Sequence, residues 1–180
     1  MPDSFYCIES SPVGDLLLLA KGAALSDLHI ISGKYVPEIQ ADWKRDAQHP
    51  VLQQTSQELA QYFAGQRKTF SVRLAPQGTT FQQAAWDVLL QIPFGQTISY
   101  GQQAANIGKP QAMRAIGSAN GKNPIAIIIP CHRVLGANGA LTGYSGGMEH
   151  KVFLLQHEAI WASPHHAHTA GGALDFFSGH

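Results

Sequence analysis

The chain of 180 residues predicts an α+β fold. A small N-terminal domain would carry an antiparallel sheet and one helix, and a mainly helical C-terminal domain would carry a helix-turn-helix and a cysteine at its active site. Three observations predict this. Short apolar runs separated by turn signals fill the first third. Beyond residue 78 apolar residues recur at helical spacing. Between the two regions lies Ala75-Pro76-Gln77-Gly78, a linker composition. The expected division is 1–78, 79–162 and a flexible tail over 163–180.

In order, Phe5 to Ile8, Leu16 to Ala20 and Leu25 to Ile31 read as the strands of a meander, with turns at Ser11-Pro12-Val13-Gly14 and Lys21-Gly22. From His49 to Phe63, the apolar positions Val51, Leu52, Leu59, Tyr62 and Phe63 describe a helix that Gly65 stops. Arg67 to Gln77 is expected to add an edge strand. Thr80 with Gln83 predicts a capping box, opening a helix with Phe81, Ala84, Ala85, Val88, Leu89 and Ile92 on one face, ended by Pro93. Ser99 with Gln102 predicts a second box, opening a short helix from Tyr100 to about Ile107 that Gly108 closes. Pro110 suits the first position of a further helix, Gln111 to Asn120. These two short helices form a candidate helix-turn-helix.

The second of them has small residues at Ala112, Ala115, Gly117, Ser118 and Ala119, with Arg114 as its only long cation. Such a surface allows tight helix packing, which composition alone favours. It also allows a backbone to approach a narrow groove while one arginine reaches inward. Ile125 to Ile129 is expected to be a buried extended segment, Asn138-Gly139 a turn, and Lys151 to Glu158 a final helix with Val152, Leu154 and Leu155 inward. Histidines 165, 166, 168 and 180 lie in the tail and read as incidental.

Composition excludes little. Apolar residues make up 44% and charged residues 13%, with no net charge, as in an ordinary soluble globule. No apolar stretch has transmembrane length and no basic-then-apolar leader opens the chain, so a cytoplasmic, nucleoid-associated protein without a membrane partner is expected. From Thr97 to Glu158 there are five basic residues (Lys109, Arg114, Lys122, Arg133, Lys151) and two acidic ones (Glu149, Glu158), a mildly basic stretch compatible with phosphate contacts. There is no Cys-x-x-Cys spacing, so no metal site and no cofactor is expected. Cys7 and Cys131 are the two cysteines. Cys7 lacks any motif and reads as inert. Cys131 lies in Ile129-Pro130-Cys131-His132-Arg133-Val134, where a neighbouring base or positive charge could supply the thiolate that reacts.

The second half resembles the O6-alkylguanine-DNA alkyltransferases. The matching pieces occur in family order: Ser99-Tyr100; Arg114-Ala115-Ile116-Gly117; Asn123-Pro124; Ile129 to Val134; Gly143-Tyr144-Ser145-Gly146-Gly147; Leu154-Leu155; and His157-Glu158. The resemblance covers Thr79 to Glu158, more loosely the first 75 residues, and looks most like the short stand-alone bacterial enzymes. It implies a monomer that binds double-stranded DNA containing alkylated bases and flips the damaged base out, as chemistry on a stacked base requires. Cys131 then takes the alkyl group from O6-alkylguanine, or also O4-alkylthymine, once and irreversibly.

The same resemblance gives the residues their roles. His132 would act on Cys131 through a water, because neighbours in extended backbone point to opposite sides, and Glu158 would orient the imidazole from behind. Asn123 would tie the helix-turn-helix to the cysteine segment, and Tyr100 would help rotate the nucleotide and hydrogen-bond the base. Arg114 would fill the gap left by the flipped base, on a DNA-binding helix presenting Ala112, Met113, Ala115 and Gly117. Tyr144 would wall the pocket, the Ser145 amide would face the guanine oxygen, and the carbonyls of Cys131 and Val134 would receive the exocyclic amine. Arg133 reads as a structural ion pair. Glu158 sits at the expected end of its helix, where the dipole opposes a carboxylate. The rival reading is a non-catalytic protein that binds alkylated DNA, which the presence of Cys131 argues against.

Overall fold

The computed structural model describes residues 1–164; the tail histidines lie outside the described residues. The meander forms as expected. Strands β1 (Ser4–Glu9), β2 (Leu16–Lys21) and β3 (Ala24–Ile30) pair antiparallel. A two-residue strand, β4 (Lys44–Arg45), adds in parallel to β1, giving the order β3-β2-β1-β4. Helix α1 (Pro50–Phe63) packs on this sheet through Leu52 and Leu59, with Pro50 at its start where a missing N–H costs nothing. Its stop is at Gly65, whose φ of 76° suits glycine and whose missing Cβ leaves room for the Trp161 ring.

The expected edge strand over 67–77 does not form. The Glu58 carboxylate accepts the amides of Ser71 and Val72 at 3.0 and 3.2 Å, so a side chain takes donors that a sheet ladder would have used. What remains is one parallel bridge, Leu25 to Leu74. Farther along the same outer edge of β3, Leu28 bridges to Ile125, donating to the carbonyl of Pro124 and accepting from the amide of Ala126. The segment that leads to Cys131 is thereby docked onto the N-terminal sheet. One apolar core runs through both halves, from Leu16, Leu18 and Leu28 to Trp86, Ile129 and Leu154.

Helices α2 (Thr80–Leu89), α3 (Tyr100–Asn106) and α4 (Met113–Gly121) follow. The Ser99–Gln102 capping box is present as read, but the first box uses Thr79 and Gln82 rather than Thr80 and Gln83. Gln83 instead donates to the carbonyl of Pro76 at 2.6 Å, pinning the linker. α4 starts at Met113, not Gln111: Gly108 (φ 75°) and a turn closed by Ala112 N–H to Lys109 O place Pro110 in the connection. A buried amide pair fixes α3 against α4, Gln103 and Asn120 each donating to the other at 2.9 and 2.8 Å. Trp86 of α2 donates to the carbonyl of Ala119 at 2.9 Å.

Ile125 to Ile129 is buried, as expected, but turned rather than extended. Ile127 has φ 70°, and Ile129 N–H closes on Ile125 O. A short parallel pair, β5 (Ile98–Ser99) with β6 (Val134–Leu135), joins the start of α3 to the residues after Cys131. Asn138 (φ 59°) and Gly139 make the expected tight turn. The last helix, α5 (Met148–Ala162), begins before Lys151 and continues a turn beyond Glu158. Among the described residues no helix is long and apolar enough to cross a membrane.

Candidate active site and nucleic-acid interface

Cys131 opens a 3₁₀ turn, Cys131–Arg133, and is 5% exposed at the floor of a cleft of about 670 Å³. The 3₁₀ turn corrects the extended backbone assumed for Cys131 and His132. Asn123 holds the approach. Its Nδ2 donates to the carbonyl of Ile129 at 2.7 Å and to the Cys131 sulfur at 3.3 Å, while its Oδ1 accepts the Ile125 amide at 3.0 Å. One amide side chain thus replaces the strand partner that the isoleucine run lacks. Burial pushes the Cys131 thiol pKa up, and the Asn123 hydrogen bond and the Lys151 charge oppose it.

His132 is fully buried and donates from Nε2 to Glu158 Oε1 at 2.8 Å. That hydrogen bond leaves the lone pair on Nδ1, which has no hydrogen-bond partner among the described residues. The Glu158 carboxylate is the hub. Oε1 also accepts from Arg133 Nη2 and from Tyr62 Oη, both at 2.8 Å; Oε2 accepts from Arg133 Nε at 2.8 Å and from the Gly95 amide at 3.3 Å. Arg133 is the structural ion pair expected of it, with its third donor on the carbonyl of Ile92. Burial would raise the Glu158 pKa, but His132 and Arg133 together hold it well below the usual carboxylate range.

The folded Glu158 carboxyl is more acidic than an unfolded glutamate, whose pKa is about 4.3, so the stability from this group is full above about pH 5 and is lost as pH falls. Thermal scans should show a melting temperature that falls steeply below about pH 5, on top of the shallower decline that His157, held neutral by burial, begins near the unfolded histidine pKa of about 6.5. Glu158→Gln should flatten that fall; an equally steep fall in the variant would contradict it.

Tyr100, Met113, Arg114, Gly117, Cys131, Tyr144 and Ser145 all line the cleft. Asn123, His132, Val134 and Glu158 are outside its lining, as are Ala115 of α4 and Ala112, the residue that caps the start of that helix. Tyr100 Oη accepts from Thr142 Oγ1 at 3.1 Å, and the Tyr144 hydroxyl is buried without a hydrogen-bond partner among the described residues. α4 buries Ile116, Ala119 and Asn120, and leaves Met113 (53%), Arg114, Ala115 and Ser118 exposed. A Cβ built on Gly117 or Gly121 would meet nothing within 4 Å, so packing does not require glycine at either position.

Several partners had no sequence signal. Lys34 and Tyr35 line the cleft from the N-terminal side, and the Lys34 amide donates to Ser145 O at 2.7 Å. Lys151, counted among the basic residues, is 0% exposed and donates to the carbonyls of Val134 and Thr142 at 2.7 and 3.0 Å. With Arg133 also buried, the exposed cations of this stretch are Lys109, Arg114 and Lys122. Val134 O, expected to face a base amine, already accepts from Lys151 with one of its two lone pairs.

A helix-turn-helix whose outer helix shares a cleft with a buried cysteine, backed by a histidine–carboxylate pair, defines a cysteine-dependent protein of the helix-turn-helix class. Comparison with known proteins agrees. The family described as 6-O-methylguanine DNA methyltransferase matches twice, its ribonuclease-like domain over residues 4–76 and its DNA binding domain over residues 80–160. The chain belongs to this family.

A methylated-DNA–protein-cysteine methyltransferase of Methanosarcina acetivorans is 47% identical over 154 residues, covering 86% of this chain and 97% of that protein. One of Haemophilus influenzae is 43% identical, covering 87% of each. A crystal structure of Mycobacterium tuberculosis O6-methylguanine methyltransferase superposes with a TM-score of 0.81 at 45% identity, covering 89% of this chain and 96% of that one. The Mycobacterium tuberculosis OGT structure in complex with DNA gives 0.80 at 44% identity, covering 87% and 94%.

Proposed function

We propose that this protein repairs alkylated DNA by direct reversal, as a methylated-DNA–protein-cysteine methyltransferase that acts once. The observation that carries this reading is Cys131 at the floor of the cleft that α4 and Arg114 border. The fold and the relatives' names support it. The division near residue 78 is supported by the two family matches, which end at 76 and begin at 80. A non-catalytic lesion binder is disfavoured by a cysteine supplied with Asn123 and the His132–Glu158 pair. Work on chromosomal DNA makes a nucleoid location the natural one.

The steps follow from the geometry and the family resemblance. The outer face of α4, with Ala112, Met113, Ala115 and Gly117, lies along the DNA, and its small residues permit close approach. Arg114 enters the stack as the damaged nucleotide rotates out past Tyr100 into the cleft. Tyr144 walls the base, and the carbonyls of Cys131 and Val134 take its exocyclic amine. The Cys131 proton passes through a bridging water to His132 Nδ1, whose other nitrogen Glu158 fixes as the donor. The thiolate attacks the alkyl carbon; the S–C bond forms as the C–O6 bond breaks, and its electron pair leaves on guanine. The Ser145 amide faces that oxygen, and the proton taken from sulfur is returned to the base. Freeing Cys131 again would require water to expel a thiolate from an unactivated alkyl carbon, for which a thiolate is a poor leaving group, so the protein does not turn over.

Excess duplex carrying a labelled O6-methylguanine tests the reading. Label should pass to protein up to one equivalent and stop. Repair of several equivalents would sink the single-use mechanism. Arg114→Ala should slow repair of duplex by about a hundredfold while leaving reaction with the free base O6-benzylguanine within about twofold. Equal losses on both substrates would contradict a role in flipping.

A further inference from the structure

We infer that Tyr62, on α1 of the N-terminal half, is a positioning residue for alkyl transfer that grips α5 and aims Glu158 at His132. The inference rests on the reading above, in which His132 serves Cys131. Tyr62 is fully buried and lies 96 residues before Glu158 in the chain. It holds two consecutive residues of α5. Its hydroxyl donates to Glu158 Oε1 at 2.8 Å, and its backbone carbonyl accepts His157 Nε2–H, also at 2.8 Å. Glu158 Oε1 is the oxygen that receives His132 Nε2–H. The pair His157-Glu158 is thus read from one residue, which gives His157 a use that the chemistry at Cys131 does not.

Packing alone does not account for the hydroxyl. The Tyr62 ring sits among Phe63, Phe70 and Phe94, with centroids 5.1, 5.5 and 6.0 Å away. A phenylalanine would fill the same space with no polar atom to satisfy. Charge does not account for it either, because Arg133 already pairs with the carboxylate through two donors and the Gly95 amide supplies another. What the hydroxyl adds is an anchor on Oε1 from a different element: α1 holds the oxygen that His132 uses, apart from the Cys131–Arg133 turn that carries both other side-chain donors. Burial and the neighbouring carboxylate push the phenol pKa well above its ordinary value, so the group stays a donor. His157, whose pKa burial lowers, is neutral and still donates.

A double-mutant cycle tests this in the full-length protein. Cys7→Ala serves as the background, so that one thiol responds. Tyr62→Phe should lower the rate of transfer to Cys131 by about tenfold, on duplex and on free O6-benzylguanine alike, with DNA affinity unchanged. In a Glu158→Gln background the same change should alter the rate by less than about twofold. Should Glu158→Gln not fold, His132→Gln closes the same cycle. A residue that only packs would cost stability equally in both backgrounds, with rates per folded molecule unmoved. Unchanged or raised rates, or an equal loss in both backgrounds, would overturn the inference. Alkylation of Cys131 by iodoacetamide, run through the same cycle, reads the coupling without any DNA lesion. Failure of the wild type to take an alkyl group from DNA would therefore be told apart from failure of Tyr62.

Discussion

Cys131→Ala is expected to abolish alkyl transfer, with no label above background on the protein, while duplex binding stays within about threefold of wild type. Among the described residues that line the cleft, Cys131 carries the one thiol, and a thiolate is a far stronger nucleophile toward carbon than the hydroxyls beside it. It is also 5% exposed, so its removal leaves the exposed residues Met113, Arg114 and Ala115 of α4, proposed to lie along DNA, untouched. Losing a buried sulfur costs some packing, but Asn123 keeps its bonds to Ile129 and Ile125 and continues to hold the segment. Transfer assays and DNA titrations on one preparation check both halves. Residual transfer at a tenth of the wild-type rate or more would mean that another group accepts the alkyl.

Glu158→Ala is expected to have the largest effect on stability, a loss of about 3–5 kcal/mol in denaturant titrations, with transfer lost as well. The Coulombic gain of a buried ion pair is largely offset by desolvation, so the intact hub adds modest net stability. Deleting one partner is different. It strands the Arg133 guanidinium, which is 6% exposed, together with the buried Tyr62 hydroxyl. Removing the imidazole's acceptor also frees His132 to adopt the wrong tautomer. Glu158→Gln, which keeps the shape and two hydrogen-bonding atoms, should lose less. Equal losses for Ala and Gln would show that shape is irrelevant at the hub.

Much of the fold was legible because periodicity reports burial. β2, with Leu16 to Leu19 all buried, and α1, with its i, i+3, i+4 face, leave that trace in the sequence. β4 leaves none: Lys44 and Arg45 are exposed, and their two-residue ladder to β1 is joined by the Lys44 ammonium 5.6 Å from the Phe5 ring centroid, a contact without periodicity. The isoleucine run before Cys131 carries a strand signal, yet it turns, since Asn123 supplies hydrogen bonds that a neighbouring strand would otherwise give. In the same way Glu58 takes the amides at 71 and 72 and leaves no edge strand there. Side-chain substitution for backbone pairing is invisible to a propensity argument.

The site divides along similar lines. Cys131, His132, Asn123 and Glu158 sit in motifs, and the structure joins Asn123 to Cys131 in the cleft wall and His132 to Glu158 in the buried interior. Tyr62 and Gly95 reach Glu158 across 96 and 63 residues, and neither stands out locally. Tyr62 reads as one more core aromatic on a helix, and only its partner reveals the use of its hydroxyl. Lys151 misleads in the opposite direction, because a lysine in a basic stretch looks solvated while this one ties two carbonyls inside the protein. Its carbonyl partners carry no signal in a sequence.

In the proposed mechanism Cys131 itself keeps the alkyl group, and peptide mass mapping of the protein after reaction with a methylated duplex reads this at the residue. One added methyl group is expected, on the peptide containing Cys131 and nowhere else, present at one per protein and stable on prolonged incubation. A modified Cys7 peptide, or an unmodified protein beside fully repaired DNA, would contradict it.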